Sequence, residues 1–193
     1  MIEELIRSFI ALFIIVDPFV SVAFFLSYSK NLDEKQKNKA INIAIIVAAV
    51  LLFIFLISGL LLLKILGITF NSFKIAGGII LLIMGITTVL SINIGSVSEN
   101  ISSGAILIGT PLLSGPGALT TIIILSKEYG LLIPSLAALA VLIISYLMLK
   151  FSKLLQKILG LEVIEIFSKV LGLLLAALAV DFIYSGIMGF IIQ

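Results

Sequence analysis

The sequence predicts an all-α, polytopic membrane protein with six transmembrane helices, built as two inverted three-helix repeats in which spans 1 and 4 are broken. Three observations predict this fold class: the composition, the length of the apolar runs and an internal repeat. Of the 193 residues, 62% are hydrophobic and only 11% are charged, whereas an ordinary soluble domain is about 25% charged. A spanning helix needs roughly 20 apolar residues. Runs of that length occupy 5–26, 40–63, 73–92, 104–126, 131–150 and 168–191.

The composition also excludes several classes of function. The chain has no His and no Cys, which removes disulfides, the usual zinc sites and the commonest general base. The formal net charge of +2 is too small and too dispersed for a nucleic-acid-binding protein. We therefore expect no enzyme activity, no metal site, no cofactor and no nucleic-acid partner.

Span 1 carries a charged residue next to a helix breaker. Its N-terminal flank is acidic and has no small-residue cleavage site, so we expect a retained span rather than a signal peptide. Asp17 and Pro18 lie partway along it. A carboxylate at mid-membrane costs roughly 3 kcal/mol, so it usually faces a pathway or a partner. Asp before Pro is also a good N-cap for the half-helix that Pro starts. Capping and direct contact with an ion or substrate are both open, and they are compatible.

Spans 2, 3 and 5 carry no comparable interruption. The polar segment 29–39, which precedes span 2, is predicted as a solvated loop. Gly77 and Gly78 in span 3 are expected to let a neighbouring helix approach closely. They are also secondary candidates for positions where the backbone meets a ligand.

Span 4 contains the segment TPLLSGPGALTT, in which Pro111 is followed by the run Ser114-Gly115-Pro116-Gly117. An unpaired backbone group in lipid costs several kcal/mol, so a broken helix is tolerated only inside protein or along a wet cavity. A plain kink, satisfied by neighbouring helices, is the alternative. The hydroxyls of Thr120 and Thr121, one turn later, either bond back to freed carbonyls or face a substrate.

Span 6 holds the second acidic residue within a span, Asp181. It either pairs with a proton or cation, or lies near the membrane interface together with Tyr184. Ser168, Gly172 and Ala176 recur every four residues, which predicts a face for close helix packing.

Two pairs of segments repeat in the same order along the chain. KILGITFNSFKIAGG (64–78) is similar to KILGLEVIEIFSKVLG (157–172), and VDPFVSVAFFLSYSK (16–30) is similar to SGPGALTTIIILSKE (114–128). A three-span unit repeated in tandem must enter the membrane in opposite orientations, as in many secondary transporters. The predicted divisions are 1–92 for the first repeat, 93–103 for the linker and 104–193 for the second repeat.

The two breaks therefore fall at corresponding positions, which is the best sequence indication of a transporter's central site. Half-helix N-termini present free N–H groups and a positive dipole end to a carboxylate. Unwound carbonyls or Asp17 can hold an ammonium group or a cation. The predicted substrate-binding residues are Asp17, Pro18, Phe19, Ser114, Gly115, Pro116, Gly117 and Thr120. The secondary candidates, including those for ion coupling, are Asp181, Gly77, Gly78 and Thr121.

The distribution of Lys and Arg predicts the orientation. An even number of spans puts both termini on one side. The side with the first, third and fifth loops carries Lys30, Lys35, Lys37, Lys39, Lys150, Lys153, Lys157 and Lys169, whereas the other side carries only Arg7, Lys64, Lys74 and Lys127. By the positive-inside rule we expect a cytoplasmic (plasma) membrane protein with both termini outside.

Three of these segments carry a resemblance to a known family: DPF in span 1, FKIAGGIILLIMGI in span 3 and GTPLLSGPGALTT in span 4. Over essentially the whole chain, the sequence resembles the MarC family of six-span integral membrane proteins. The resemblance implies a transporter of the broad amino-acid-exporter superfamily, some of whose members move glycine and alanine with cation coupling. It also implies that Asp17-Pro18 and 114–117 are the broken-helix positions. Asp181 stands where the family resemblance leads us to expect an uncharged polar residue, so coupling here would differ.

We therefore expect a secondary transporter of small neutral amino acids such as glycine or alanine, working by alternating access with Na⁺ or H⁺ as the coupling ion. Its expected partners are the amino acid and the lipid bilayer. The alternatives are an exporter of other small solutes or drugs and an oligomeric channel. A channel requires a ring of pore-lining groups from several subunits; the sequence shows none, but a homo-oligomer remains open.

Overall fold

A computed structural model describes residues 2–91 and 113–191, and within them it contains helices and no strands. The helices, in chain order, are α1 (Ile2–Val16), α2 (Pro18–Tyr28), α3 (Glu34–Ile65), α4 (Phe70–Val89), α5 (Pro116–Tyr129), α6 (Leu132–Lys150), α7 (Ser152–Leu159) and α8 (Leu161–Ile191). A short 3₁₀ turn, Ser29–Asn31, follows α2. The predicted linker and the first half of predicted span 4, including Pro111, lie outside the described residues.

Five segments of the described chain are long and apolar enough to cross a membrane. They are α1 and α2 taken together, α3, α4, α6 and α8. The all-helical, polytopic membrane fold is therefore confirmed. Helix α5 has 14 residues and is too short to span alone. The count of six spans and the inverted repeat remain predictions.

The outer surface of the bundle is apolar. Ile57 on α3, Leu132 on α6 and Leu173 on α8 are 70%, 68% and 65% exposed. Such side chains would be costly in water, and a continuous apolar surface of this kind is typical of contact with lipid. The polar residues among the buried ones are mostly Ser and Thr, which is usual where membrane helices pack.

The prediction of a loop up to residue 39 was wrong, because α3 already begins at Glu34. Asp33 and Gln36 form a capping box that starts the helix. The Gln36 N–H donates to Asp33 Oδ1 over 2.7 Å, and the Asp33 N–H donates to Gln36 Oε1 over 3.0 Å. This pair satisfies two donors that would otherwise be free at a helix start. The charged first turns of α3 are helical although they are too polar to lie in lipid.

The connection between spans 5 and 6 is also more helical than predicted. Helix α7 occupies Ser152–Leu159, and α8 begins at Leu161 rather than near 168. Gly160 separates them with φ of +81°, a conformation that favours glycine. The first turns of α8, which contain Glu162 and Glu165, are therefore helical but more polar than the rest of the helix.

Helices α4 and α8 pack in antiparallel directions through glycine. A Cβ added at Gly78 would lie 2.8 Å from the Ala179 carbonyl oxygen, and one added at Gly85 would lie 2.7 Å from that of Gly172. Contacts this short leave no room for a side chain, so the two backbones touch. The predicted close packing at Gly78 and Gly172 is confirmed.

Two ion pairs mark the opposite ends of the bundle. At one end, Lys153 Nζ lies 2.6 Å from Glu34 Oε1, which joins the segment after α6 to the start of α3. At the other end, Lys74 Nζ lies 2.9 Å from Glu128 Oε1, which joins the start of α4 to the last turns of α5. The end of α8 also lies here, since an added Cβ at Gly189 would meet the Asn71 side chain. Helix α2 ends next to the start of α3, which lies at the first end of the bundle. Helix α1, at the opposite end of the same span, therefore begins at the second end. Both ends of the described chain thus lie on one side of the bundle.

Candidate functional site

The first break consists of a single non-helical residue. Helix α1 ends at Val16 and α2 begins at Pro18, with Asp17 between them at φ 40° and ψ 77°. This left-handed conformation is uncommon for residues other than glycine, although Asp and Asn adopt it more readily than most. The predicted break in span 1 is confirmed at the predicted residue.

The Asp17 carboxylate caps α2. Its Oδ1 accepts the Val20 N–H over 3.2 Å, and the Phe19 amide also donates to the carboxylate. The side chain is therefore an N-cap, which was one of the two open interpretations. Direct contact with a ligand stays a prediction.

The same geometry leaves backbone carbonyls of α1 without their usual donors. In a continuous helix, the amides of residues 18, 19 and 20 would donate to the carbonyls of Ile14, Ile15 and Val16. Pro18 has no N–H, and the other two amides donate to Asp17 instead. The break thus places carbonyl oxygens and a carboxylate together, which is a suitable environment for a cation or an ammonium group.

The second break precedes α5. Gly115 is the N-cap and Pro116 the first helical residue, which is the position Pro favours. Gly115 has no side chain, so the N-cap residue itself gives α5 no cap of the kind that Asp17 gives α2. The first turn therefore presents the positive end of a helix dipole. The residues before Leu113 lie outside the described chain.

The hydroxyls that follow this break differ in their partners. Thr120 Oγ1 donates to the Pro116 carbonyl over 2.8 Å, which confirms the back-bonding interpretation for that residue. Thr121 Oγ1 is buried and has no hydrogen-bond partner among the described residues. Ser114 is 2% exposed.

The structure brings the two breaks together. A Cβ added at Gly117 would overlap Leu81 Cδ2 and lie 3.4 Å from Ile15 Cγ2. Ile15 comes two residues before Asp17, and Gly117 is the second residue of α5. Leu81 lies about midway along α4. The breaks are therefore neighbours near the middle of the bundle.

From this common level the two half-helices run in opposite directions. Helix α2 leads from Asp17 to the end where Glu34 pairs with Lys153. Helix α5 leads from Pro116 to the end where Glu128 pairs with Lys74. Two helix N-termini thus face the centre from opposite sides, which is the arrangement expected of a broken-helix binding site.

The secondary candidates divide into two groups. Gly77 packs directly on Thr120, since an added Cβ would overlap Thr120 Cγ2, so it belongs to the wall of the site. Gly78 faces α8 instead. Asp181 is exposed on the outer surface of α8 and is not among the buried polar residues.

Ser21 is a site neighbour that the sequence reasoning missed. It lies one turn after Asp17, and its N–H donates to the Asp17 carbonyl over 3.3 Å. Within the part of the chain that the structure describes, its buried hydroxyl has no hydrogen-bond partner. The spacing of four residues from Asp17 within an apolar run was the available signal, because it places Ser21 on the same helix face.

Phe19 points toward α8, where its ring stacks on that of Phe167 with the centroids 5.1 Å apart. The contact fixes the start of α2 against the neighbouring helix and adds a modest stabilisation beyond burial. Phe19 therefore holds the break in place from the side of α8.

Comparison with known proteins supplies the family. The family described as MarC family integral membrane protein matches residues 2–191. A UPF0056 membrane protein of Methanocaldococcus jannaschii is 30% identical over 97% of this chain and 98% of the relative. A UPF0056 membrane protein of Buchnera aphidicola is 29% identical over 94% of this chain and 91% of the relative, and one of Escherichia coli is 29% identical over 95% and 91%. No solved structure matches the chain. The chain, with its two helix breaks meeting inside a polytopic bundle, belongs to the MarC family of integral membrane proteins.

Proposed function

We propose that this protein is a secondary transporter of small neutral amino acids, of the size of glycine or alanine, in the cytoplasmic membrane. The observation that carries the proposal is the meeting of two opposed half-helix N-termini beside a buried carboxylate. A zwitterionic amino acid has a carboxylate that suits a helix N-terminus and an ammonium group that suits the Asp17 carboxylate.

The substrate carboxylate would bind at the start of α5. The amides of Gly117 and Ala118 lie in its first turn, where N–H groups have no intrahelical acceptor. The α2 N-terminus is less suitable, because Asp17 already accepts from its amides. A second carboxylate there would also be repelled by the Asp17 charge.

The substrate ammonium group would bind at the other break. Asp17 and the released carbonyls of α1 offer negative charge and acceptors within one helical turn. A coupling cation, Na⁺ or H⁺, would use the same oxygens or the neighbouring Ser21 hydroxyl. The coupling cation would therefore bind at the first break.

The buried residues around the site favour a small substrate and a transporter that changes conformation during transport. Ile15, Val16 and Leu113 are buried next to the breaks, at 2%, 1% and 0% exposure. A solute can reach this level only if helices separate on one side and then on the other. This supports alternating access and limits the substrate to a short side chain.

The orientation is part of the proposal. The Glu34–Lys153 end of the bundle carries most of the lysines, so we place it at the cytoplasm, with both termini outside. An exporter of other small solutes is the main alternative; it would use the same two breaks but not require a zwitterion.

The experiment is uptake of labelled glycine and alanine into proteoliposomes with imposed Na⁺ or H⁺ gradients. Three proteins are compared: wild type, Asp17→Asn and the control Asp33→Asn. Asn is as good an N-cap as Asp, so both variants keep their caps and lose one charge. Because a hydrogen bond to a charged group contributes about 1.5–3 kcal/mol, we expect Asp17→Asn to lose roughly ten-fold or more in uptake. Asp33→Asn should transport like wild type.

Two results would count against the proposal. Uptake that persists in Asp17→Asn would reduce Asp17 to a helix cap. Absence of glycine and alanine uptake by correctly inserted wild-type protein would remove the substrate assignment.

A further inference from the structure

Hydroxyl groups in the helices of this protein usually bond to their own backbone, which satisfies them in apolar surroundings. Those that donate to a carbonyl three or four residues earlier are Ser58, Thr87, Thr88, Thr120, Ser126, Ser135, Ser145 and Ser185. Among the described residues, the buried hydroxyls that have no partner are those of Ser8, Ser21, Thr121 and Ser168. A buried polar group without a partner costs free energy, so these hydroxyls require an explanation.

Thr121 lies on the side of α5 that faces α1. A Cβ added at Gly77 would overlap Thr120, so Thr120 faces α4. A Cβ added at Gly117 would touch α4 and would also lie 3.4 Å from Ile15 Cγ2 of α1. Thr121 follows Gly117 by four residues, which places it on the same face one turn later and on the side away from Thr120. The Thr121 hydroxyl therefore belongs to the interface between α5 and α1.

Ser8 lies on the same interface. It precedes Ile15 by seven residues, or two helical turns, so both side chains project from one face of α1. At the end of the bundle where α1 begins, Arg7 lies within electrostatic range of Tyr129, the last residue of α5. Helices α1 and α5 thus run side by side in opposite directions, from the two breaks to that end of the bundle.

The two hydroxyls lie at successive depths along this interface. At 1.5 Å per residue, Thr121 is about 6 Å from the level of Gly117, and Ser8 is about 10 Å from the level of Ile15. Half of the hydrocarbon thickness is about 15 Å. Since the breaks lie near the middle of the bundle, the interface offers a hydroxyl about once per helical turn between the breaks and the membrane boundary.

We propose that the α1–α5 interface is the outer half of the substrate path, in which the hydroxyls of Ser8 and Thr121 bind water and the polar groups of the passing amino acid. The proposal rests on the transport function proposed above and adds the route by which the site reaches the outside. Leu12, on the same face of α1, is 0% exposed and closes the route. The route therefore opens when α1 and α5 separate.

Cysteine accessibility tests the route, because the natural chain has no Cys. Ser8→Cys and Thr121→Cys place thiols on the interface. Ser126→Cys is the matched control: Ser126 is a buried residue of α5 in the same half of the bundle, but it lies nine residues after Gly117 and so on the opposite face of the helix. Ile2→Cys, at an exposed position at the start of α1, marks the side of the membrane.

A membrane-impermeant thiol reagent is added to proteoliposomes from the side on which Ile2→Cys reacts. A thiol reacts as its thiolate, which forms in water and not in dry packing, so we expect Ser8→Cys and Thr121→Cys to react roughly ten-fold or more faster than Ser126→Cys. Equal or faster reaction of Ser126→Cys would overturn the proposal.

Ser114→Cys, at the second break, distinguishes failure of this route from failure of the proposed function. If Ser114→Cys reacts from the Ile2 side while Ser8→Cys and Thr121→Cys do not, the route lies elsewhere and only the present proposal is wrong. Absence of reaction at all three positions from either side would contradict both proposals, because no water would then reach the breaks.

A second measurement tests the role of the Thr121 hydroxyl itself. Thr121→Val keeps the shape of the side chain and removes a hydroxyl that has no partner in the described structure. We therefore expect unchanged or higher stability in a detergent titration, and glycine uptake lower by about two- to ten-fold, the effect of one hydrogen bond. Thr120→Val is the neighbouring control, since it loses a bond that the structure contains and should lower the stability. Lower stability of Thr121→Val, or uptake at the wild-type rate, would contradict the role in transport.

Discussion

Gly77 offers a direct test of how tightly the second break is held. It lies on α4 against Thr120, and a Cβ added there would overlap Thr120 Cγ2 and lie 2.9 Å from both Thr120 Cβ and Oγ1. Ordinary contacts between carbon atoms are about 3.5–4.0 Å. Thr120 cannot turn away without losing the hydrogen bond from its hydroxyl to the Pro116 carbonyl. We therefore expect Gly77→Ala to strain the first turn of α5.

The magnitude follows from two opposing effects. Alanine is about 1 kcal/mol better than glycine inside a helix, whereas overpacking of this kind costs about 1–3 kcal/mol. The overlap with Thr120 Cγ2 is severe, so the upper part of this range applies and we expect Gly77→Ala to destabilise the protein by about 1–2 kcal/mol, which is about five- to thirty-fold in the unfolding equilibrium. Titration with sodium dodecyl sulfate in mixed micelles, followed by far-ultraviolet circular dichroism, measures the change.

A double mutant separates this contact from a general effect at Gly77. Thr120→Ser removes Cγ2, the atom that the new Cβ would overlap, and keeps the hydroxyl. Combined with Gly77→Ala, it should recover about 1 kcal/mol, since residues in contact show coupling of this order. If Gly77→Ala is as stable as wild type, or if Thr120→Ser gives no recovery, the close packing of α4 on the second break is wrong.

The remaining predictions concern the other residues around the breaks and one helix cap. Gly117→Ala should lower amino-acid uptake, because the added Cβ would overlap Leu81 Cδ2. Adding Leu81→Ala should restore part of the uptake rate. An uptake rate unchanged in Gly117→Ala would argue against tight packing at this contact. Thr120→Val keeps the shape and loses the bond to Pro116, so it should lower stability by about 1 kcal/mol in the same detergent titration. Asp33→Ala removes the capping box of α3 and should lower the stability by about 1 kcal/mol without changing uptake. A change in uptake would show that a helix cap at the end of the bundle also contributes to transport.

Much of the membrane fold could be predicted from the sequence because its physical signals are local. Long apolar runs identify spans, and the dipeptide Asp17-Pro18 both supplies an N-cap and removes an amide, so the first break was predicted at the right residue. The helix ends were less predictable. The start of α3 depends on the Asp33–Gln36 capping box, and hydropathy does not detect it since the residues that follow are charged.

The arrangement of the site depends on contacts between segments far apart in the chain. Nothing local indicates that Gly117 would meet both Ile15 and Leu81, or that α2 and α5 would run in opposite directions from one level. The exposure of Asp181 was equally inaccessible. Helix α8 is apolar on all sides over most of its length, so its sequence does not show which face is turned outward.

The central claim is that the two breaks form one substrate site, and protection of a single cysteine tests it most directly. Ser114→Cys introduces a thiol of similar size into a chain without other cysteines, next to the start of α5. Its modification by a small, water-soluble thiol reagent is measured in proteoliposomes with and without glycine, and with glycolate, which lacks the ammonium group. The account predicts that glycine slows modification in wild-type background, and that the protection is lost in the Asp17→Asn background and absent with glycolate. Modification at the same rate with and without glycine, in a variant that still transports it, would place the substrate elsewhere.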